Sequence, residues 1–166
     1  MTASEKRTEK EKRHEEWDRL SLVSAGFFLA LVGVVLIITP NYYNEAVAFV
    51  KDFKIVEVSP NITLVEPISN HPVVYRAVAQ FCLAFGMLQI AILGLRFLFK
   101  DSVKRKAGTI ATVIFWLGAG YVSTLLLTQA IGWFAYLSGL LVFIGLWLVV
   151  RNLLVLVFFK PSRGAV

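Results

Sequence analysis

Four stretches of this chain are apolar for long enough to matter. The first runs without a charged residue from Leu20 to Thr39 and stops at Pro40, where a helix loses a donor and meets a steric clash. The second begins at Pro72, which suits a first helical turn, and reaches Phe99, with Asn70 or His71 placed to cap it. The third covers Ala107 to Thr128. The fourth opens at Trp133, is uncharged to Val150, and resumes after Arg151 and Asn152 as Leu153 to Phe159. A bilayer core of roughly 30 Å needs about 20 apolar residues in a helix. The pattern therefore predicts an all-α integral membrane protein, a bundle of four transmembrane helices over 20–39, 72–99, 107–128 and 133–159.

Between the spans the pattern changes. The first two are separated by an outer loop, 40–71, too long to be a mere connection. In it Ala46, Val47, Val50 and Phe53 recur at helical spacing from Tyr43, opposite Glu45, Lys51 and Asp52, which predicts a short amphipathic helix on the outer leaflet. Ile55–Val58 and Ile62–Glu66 then read as the strands of a β-hairpin around Ser59-Pro60-Asn61. An isolated hairpin is marginal in water, so this one must pack on its neighbours. Spans three and four, joined only by Gln129–Gly132, form an antiparallel pair. The segment 1–19 alternates acids and bases, with Glu9 and Arg13, and Lys12 and Glu16, at helical spacing and Thr8 with Glu11 as a capping box. It reads as a charged cytoplasmic helix, either a solvated lead-in or a handle for a partner or for lipid headgroups; 160–166 is a cytoplasmic tail.

Charge sets the orientation. The chain has 166 residues, is 57% hydrophobic, and carries a net charge of +6; its mean hydropathy is +0.70. Of its 17 basic residues, only Lys51, Lys54 and Arg76 fall on the side of the outer loop. Basic residues in short flanking segments stay on the cytoplasmic side, so both termini are expected in the cytoplasm and the protein in the cell membrane. The positive charge is thus accounted for by topology and anionic lipid rather than by nucleic acid. The first run is read as a retained anchor, because a cleaved signal has a shorter apolar core with its cleavage site close behind.

Reactive chemistry is scarce. Cys82, inside the second span, is the single cysteine, so an intramolecular disulfide is impossible. No Asp or Glu interrupts a span, which disfavours proton-coupled transport. The two histidines, His14 and His71, lie outside the spans, and neither a haem, a zinc site, nor a phosphate-binding loop is evident; no cofactor and no metal are expected. His71 with Glu66 is a remote candidate for a metal or proton site. The polar residues within the bilayer are Gln80, Gln89 and Arg96 on the second span. Gln89 and Arg96 share a face with Cys82 and Phe85, whereas Gln80 lies nearly opposite. These glutamines are expected either to hydrogen-bond neighbouring helices, with Arg96 reaching the inner headgroups, or to line a polar path. Arg151, Asn152 and Trp17 are read as anchors at the inner interface. Asn61-Ile62-Thr63 is a glycosylation acceptor sequence on the outer side.

Packing signals are plentiful. Ala77, Ala84 and Ala91 repeat every seven residues on the second span; Ala119 with Ser123, Gly120 with Thr124, and Ala135 with Gly139 are small residues four apart. The expectation is a non-catalytic accessory or assembly subunit, partnered by the bilayer and by other membrane subunits, acting through helix contacts and its outer loop. The alternative is a small homo-oligomeric channel or transporter with a path along the second span.

Overall fold

The computed structural model describes residues 25–59, 62–98 and 103–158. Trp17, Asn61 and the charged segment before residue 25 lie outside the described residues. Helix α1 (Ala25–Ile38) meets α2 (Tyr42–Lys51) at an angle of 94°. A hairpin of β1 (Phe53–Ser59) and β2 (Ile62–Pro67) follows, and then α3 (Pro72–Leu98), α4 (Val103–Leu127) and α5 (Trp133–Phe158). The last three helices are each long and apolar enough to cross a membrane; α1 and α2 pass that test only together, as a bent pair.

The bend has a local cause. The Thr39 N–H still donates to the Val35 carbonyl at 3.1 Å, but Pro40 cannot continue the ladder. Asn41 then takes the left-handed conformation, φ 58°, which asparagine tolerates better than most side chains. Its carbonyl accepts from Glu45 N–H at 3.1 Å, so α2 starts in a new direction. The turn between α4 and α5 uses the same device. Gln129 is left-handed, φ 56°, and its N–H and that of Ala130 return to the carbonyls of Leu126 and Leu125 at 3.0 and 2.9 Å, the paired bonds of a Schellman cap. Glycine is the usual residue there; here Gln129 takes its place.

The hairpin is antiparallel with Phe53 opposite Pro67, Lys54 opposite Glu66 and Ile55 opposite Val65. Phe53, expected on the amphipathic helix, opens β1 instead, because Asp52 ends α2. The third long helix begins at Val103, four residues before the apolar run at Ala107 that marked its expected start. Lys104, Arg105 and Lys106 are good helix formers that hydropathy alone excludes.

Helices α3 and α4 pack through reciprocal glycines. A Cβ on Gly86 would stand 2.6 Å from Leu117 Cδ2, and one on Gly120 would stand 2.7 Å from Leu83 Cγ and 3.1 Å from its backbone nitrogen. Each glycine thus lets the other helix approach along its backbone. Gly118 admits the Phe143 ring and Gly139 the Val122 side chain, which seats α5 on α4. The expected alanine seam on α3 is corrected: Ala77 is buried, but Ala84 and Ala91 are exposed. Val74, Tyr75, Ala79, Cys82, Phe85, Gly86 and Gln89 form the covered face instead. Phe28 joins α1 to this core edge-on, its ring 5.4 Å from Phe81 and 5.5 Å from Phe85, and Trp116 closes on Phe85 at 4.9 Å. The outward side of α5 leaves Leu141, Val142, Val149 and Leu156 exposed, a surface that suits lipid rather than water.

Gly86→Ala and Gly120→Ala are each expected to cost about 1–3 kcal/mol, the usual range for overpacking. Gly94→Ala, where a Cβ meets open space, should leave stability within about 0.5 kcal/mol. Thermal denaturation of the three variants in one detergent checks this ordering.

Candidate functional site

The outer loop folds back onto the helices as a cap, and one residue ties its parts together. Asp52 ends α2, where its N–H donates to the carbonyls of Ala48 and Phe49 at 3.0 and 3.2 Å. Its own carbonyl accepts from Ile68 N–H at 3.4 Å, across the mouth of the hairpin. Its carboxylate Oδ2 accepts from the backbone N–H of Ser69, at the hairpin exit, and lies 3.1 Å from His71 Nε2, just before α3. The Ser69 N–H and the His71 ring hold the Asp52 carboxyl below the usual carboxylate range, against a smaller opposing effect of burial.

His71 is buried, at 7% exposure. Its other ring nitrogen, Nδ1, stands 3.9 Å from Glu45 Oε2 on α2. His71 is therefore not the solvent-satisfied loop histidine that its place in the sequence leads one to expect, and the alternative pairing with Glu66 is not formed either. Glu66 sits on β2 opposite Lys54, while the fold delivers Asp52 and Glu45 to opposite edges of the imidazole. Carboxylates on opposite ring nitrogens do not converge on one point, and among the described residues no cluster of His, Cys, Asp and Glu is arranged to hold a metal. The arrangement clamps instead. The His71 carbonyl accepts from Tyr75 N–H at 3.1 Å, so the residue caps α3 through its backbone while its side chain grips α2.

Beneath the clamp, Phe49 is the hub. Its ring meets Phe53 at 4.9 Å, His71 at 5.4 Å, Trp133 at 5.8 Å and Tyr75 at 6.0 Å, all edge-on. Trp133 also contacts Phe53 at 5.6 Å and Tyr136 at 5.5 Å, which brings β1 against α5. A cavity of about 140 Å³ remains between Phe49, Tyr75, Ser123, Trp133 and Tyr136. The Trp133 indole N–H is buried with no acceptor. Phe49 escaped the sequence reading, which put Val47 and Val50 on the working face of α2; these two are exposed, and Phe49 points inward. Its signal was the pair Phe49 and Phe53 straddling an acidic residue, with a tryptophan opening the last span.

The intramembrane residues stand apart. Gln80 is exposed, and Gln89 is buried at 8% exposure on the packed face. Among the described residues neither glutamine side chain makes a hydrogen bond to a neighbouring helix. Arg96 Nη1 donates to the Arg105 carbonyl at 3.2 Å and ties the end of α3 to the start of α4. The hydroxyls of Thr109, Thr112, Ser123 and Thr124 each donate to the carbonyl four residues earlier in α4. Thr112 also accepts from Trp147 Nε1 and Ser123 meets the Tyr136 hydroxyl, both at 3.4 Å, and among the described residues no hydrogen bond links any of them to Gln80 or Gln89. Towards the C-terminal end of α5, Arg151 lies over the Trp147 ring at 5.6 Å, and Asn152 Nδ2 donates to the Leu148 carbonyl at 2.9 Å.

Because the Asp52 carboxyl titrates lower when folded, the stability it lends the cap is complete above the ordinary carboxylate value of 3.8 and is lost as pH falls through the lowered value. The Ser69 amide proton, followed by NMR, should shift with that titration, and Asp52→Asn should abolish the shift. At neutral pH, Asp52→Ala and His71→Ala should each speed tryptic cleavage after Lys54 while cleavage elsewhere is unchanged.

Comparison with models of known protein families, with curated proteins and with solved structures finds no match.

Proposed function

We propose that this chain is a non-catalytic membrane protein of four spans, with α1 as the outward-running first span and both termini in the cytoplasm. On this reading it serves a larger membrane assembly as an accessory subunit, and its outer cap is the surface that partners meet. The observation that carries the proposal is the cap itself: a hairpin held by Asp52, His71 and Phe49 that presents a cross-strand pair, Ile55 at 75% and Val65 at 53% exposure, to the outside. A two-stranded sheet leaves both outer edges open to a further strand. Exposed apolar pairs on an ordered hairpin fit a protein partner better than they fit water.

The orientation rests on charge. Arg96, Lys104, Arg105, Lys106 and Arg151 gather at the end of the bundle opposite the cap, and the basic segment 1–19 joins them if α1 crosses the bilayer. The polar groups of the cap are used for structure: His71 Nε2 meets the Asp52 carboxylate at 3.1 Å, and that carboxylate also accepts from the Ser69 N–H. A pore along α3 would need several subunits to assemble what one chain keeps apart.

Native mass spectrometry of the complex extracted gently from the host membrane tests the reading. A different protein at fixed stoichiometry is expected, and Ile55→Lys with Val65→Lys should release it without lowering the melting temperature of the chain. A closed homo-oligomer that conducts or transports when purified, and loses flux with Gln80→Leu and Gln89→Leu, would contradict it.

A further inference from the structure

The right-angle bend between α1 and α2 leaves a recess of about 640 Å³ in its crook. Its wall is the last turn of α1 and its roof is the first turn and a half of α2. Five neutral polar side chains line it: Thr39, Asn41, Tyr42, Tyr43 and Asn44. Among the described residues none of the five makes a side-chain hydrogen bond. Asn41 occupies the N-cap position of α2, yet its side chain caps nothing. Asparagine at an N-cap ordinarily bonds the helix's own amides, so this amide is left for something else. Among the described residues no charged side chain lines the recess; Glu45, in the same turn of α2, stands 3.9 Å from His71 instead.

The membrane frame says what reaches such a place. With α1 as the first span, a reading on which this inference rests, Thr39 stands where the span leaves the hydrocarbon. At 94° to α1, helix α2 lies along the membrane surface. Its outward stripe, Tyr43, Val47 and Val50, is apolar and exposed, with Tyr43 at 79%, as in helices that rest at the headgroup level. Leu36, exposed on α1, extends the recess towards the acyl region. The crook is therefore apolar below, hydrogen-bonding above, and open to lipid.

We propose that the crook binds the headgroup of one outer-leaflet lipid, of the class whose headgroup is uncharged and rich in hydroxyl oxygens, as in a glycosyl diacylglycerol. Asn41 and Asn44 supply paired donors and acceptors, Tyr42 and Tyr43 supply hydroxyls and ring faces, and the lack of any cation gives a phosphate no counter-charge.

The test uses the full-length protein in nanodiscs of phosphatidylcholine, phosphatidylglycerol and monogalactosyl diacylglycerol in equal parts, with bound lipid read by native mass spectrometry. One galactolipid per chain is expected. Asn44→Ala with Tyr43→Phe should reduce its retention by about five- to tenfold, the size of one or two lost hydrogen bonds. Ala46→Trp, which fills the recess, should abolish retention; the polar pair stands as the test if that variant does not fold. Equal retention of all three lipids, preference for phosphatidylglycerol, or retention indifferent to every variant would overturn the proposal. Equally tight binding of soluble methyl galactoside would also overturn it, since the site would then face water. Glu57→Cys, on the exposed face of the hairpin, in a Cys82→Ala background separates the two levels of inference. Labelling of intact cells by an impermeant maleimide, with no lipid retained, refutes the lipid site alone; labelling only after permeabilisation refutes the topology and the site together.

Discussion

The outer half of this molecule depends on the ring of Phe49. That ring, on α2, is edge-on to Phe53 at the start of β1, to His71 and Tyr75 at the start of α3, and to Trp133 at the start of α5, so one side chain touches all four elements. Edge-to-face pairs contribute about 0.5–1.5 kcal/mol each beyond area burial. A two-stranded hairpin has no such reserve of its own. The aromatic hub supplies the apolar contact, and the polar clamp of Asp52 and His71 supplies the direction. Together they turn a loop of some thirty residues into a placed surface.

The helices beneath follow a different rule. In lipid the exclusion of apolar surface from water does not drive one helix onto another, so close backbone approach matters more. Gly86 and Gly120 provide it between α3 and α4, and Gly118 and Gly139 provide it between α4 and α5. Thr109, Thr112, Ser123 and Thr124 donate to carbonyls of their own helix, Thr112 and Ser123 also meet Trp147 and Tyr136 of α5, and Arg96 donates to the carbonyl of Arg105. What the long helices build is a platform on which the hairpin and α2 rest.

Much of this was legible in the residues. Proline at 40 and 72 punctuates the chain, and α3 begins at Pro72 as expected. The spacing from Tyr43 foretold α2, and the strands at Ile55 and Ile62 foretold the hairpin. Hydropathy, however, reports the edge of the apolar region rather than the edge of the helix, so the start of α4 at Val103 was placed late. The partners of His71 were misassigned for a similar reason. Glu66 is near in sequence but lies out on β2, whereas Asp52 is 19 residues away and arrives through the fold. Ala84 and Ala91 share their spacing with Ala77, but only the upper part of α3 is covered on that side. Neither the hub at Phe49 nor the crook behind Asn41 carries a motif, because each exists only once the chain has turned.

The central claim is that the cap is a fixed part of the protein, and amide hydrogen exchange tests it most directly. In the native protein the cross-strand amides of β1 and β2 should exchange far more slowly than an open chain, and Phe49→Ala should strip that protection while α3 and α4 keep theirs. Exchange of the hairpin amides at open-chain rates in the unaltered protein would contradict the account.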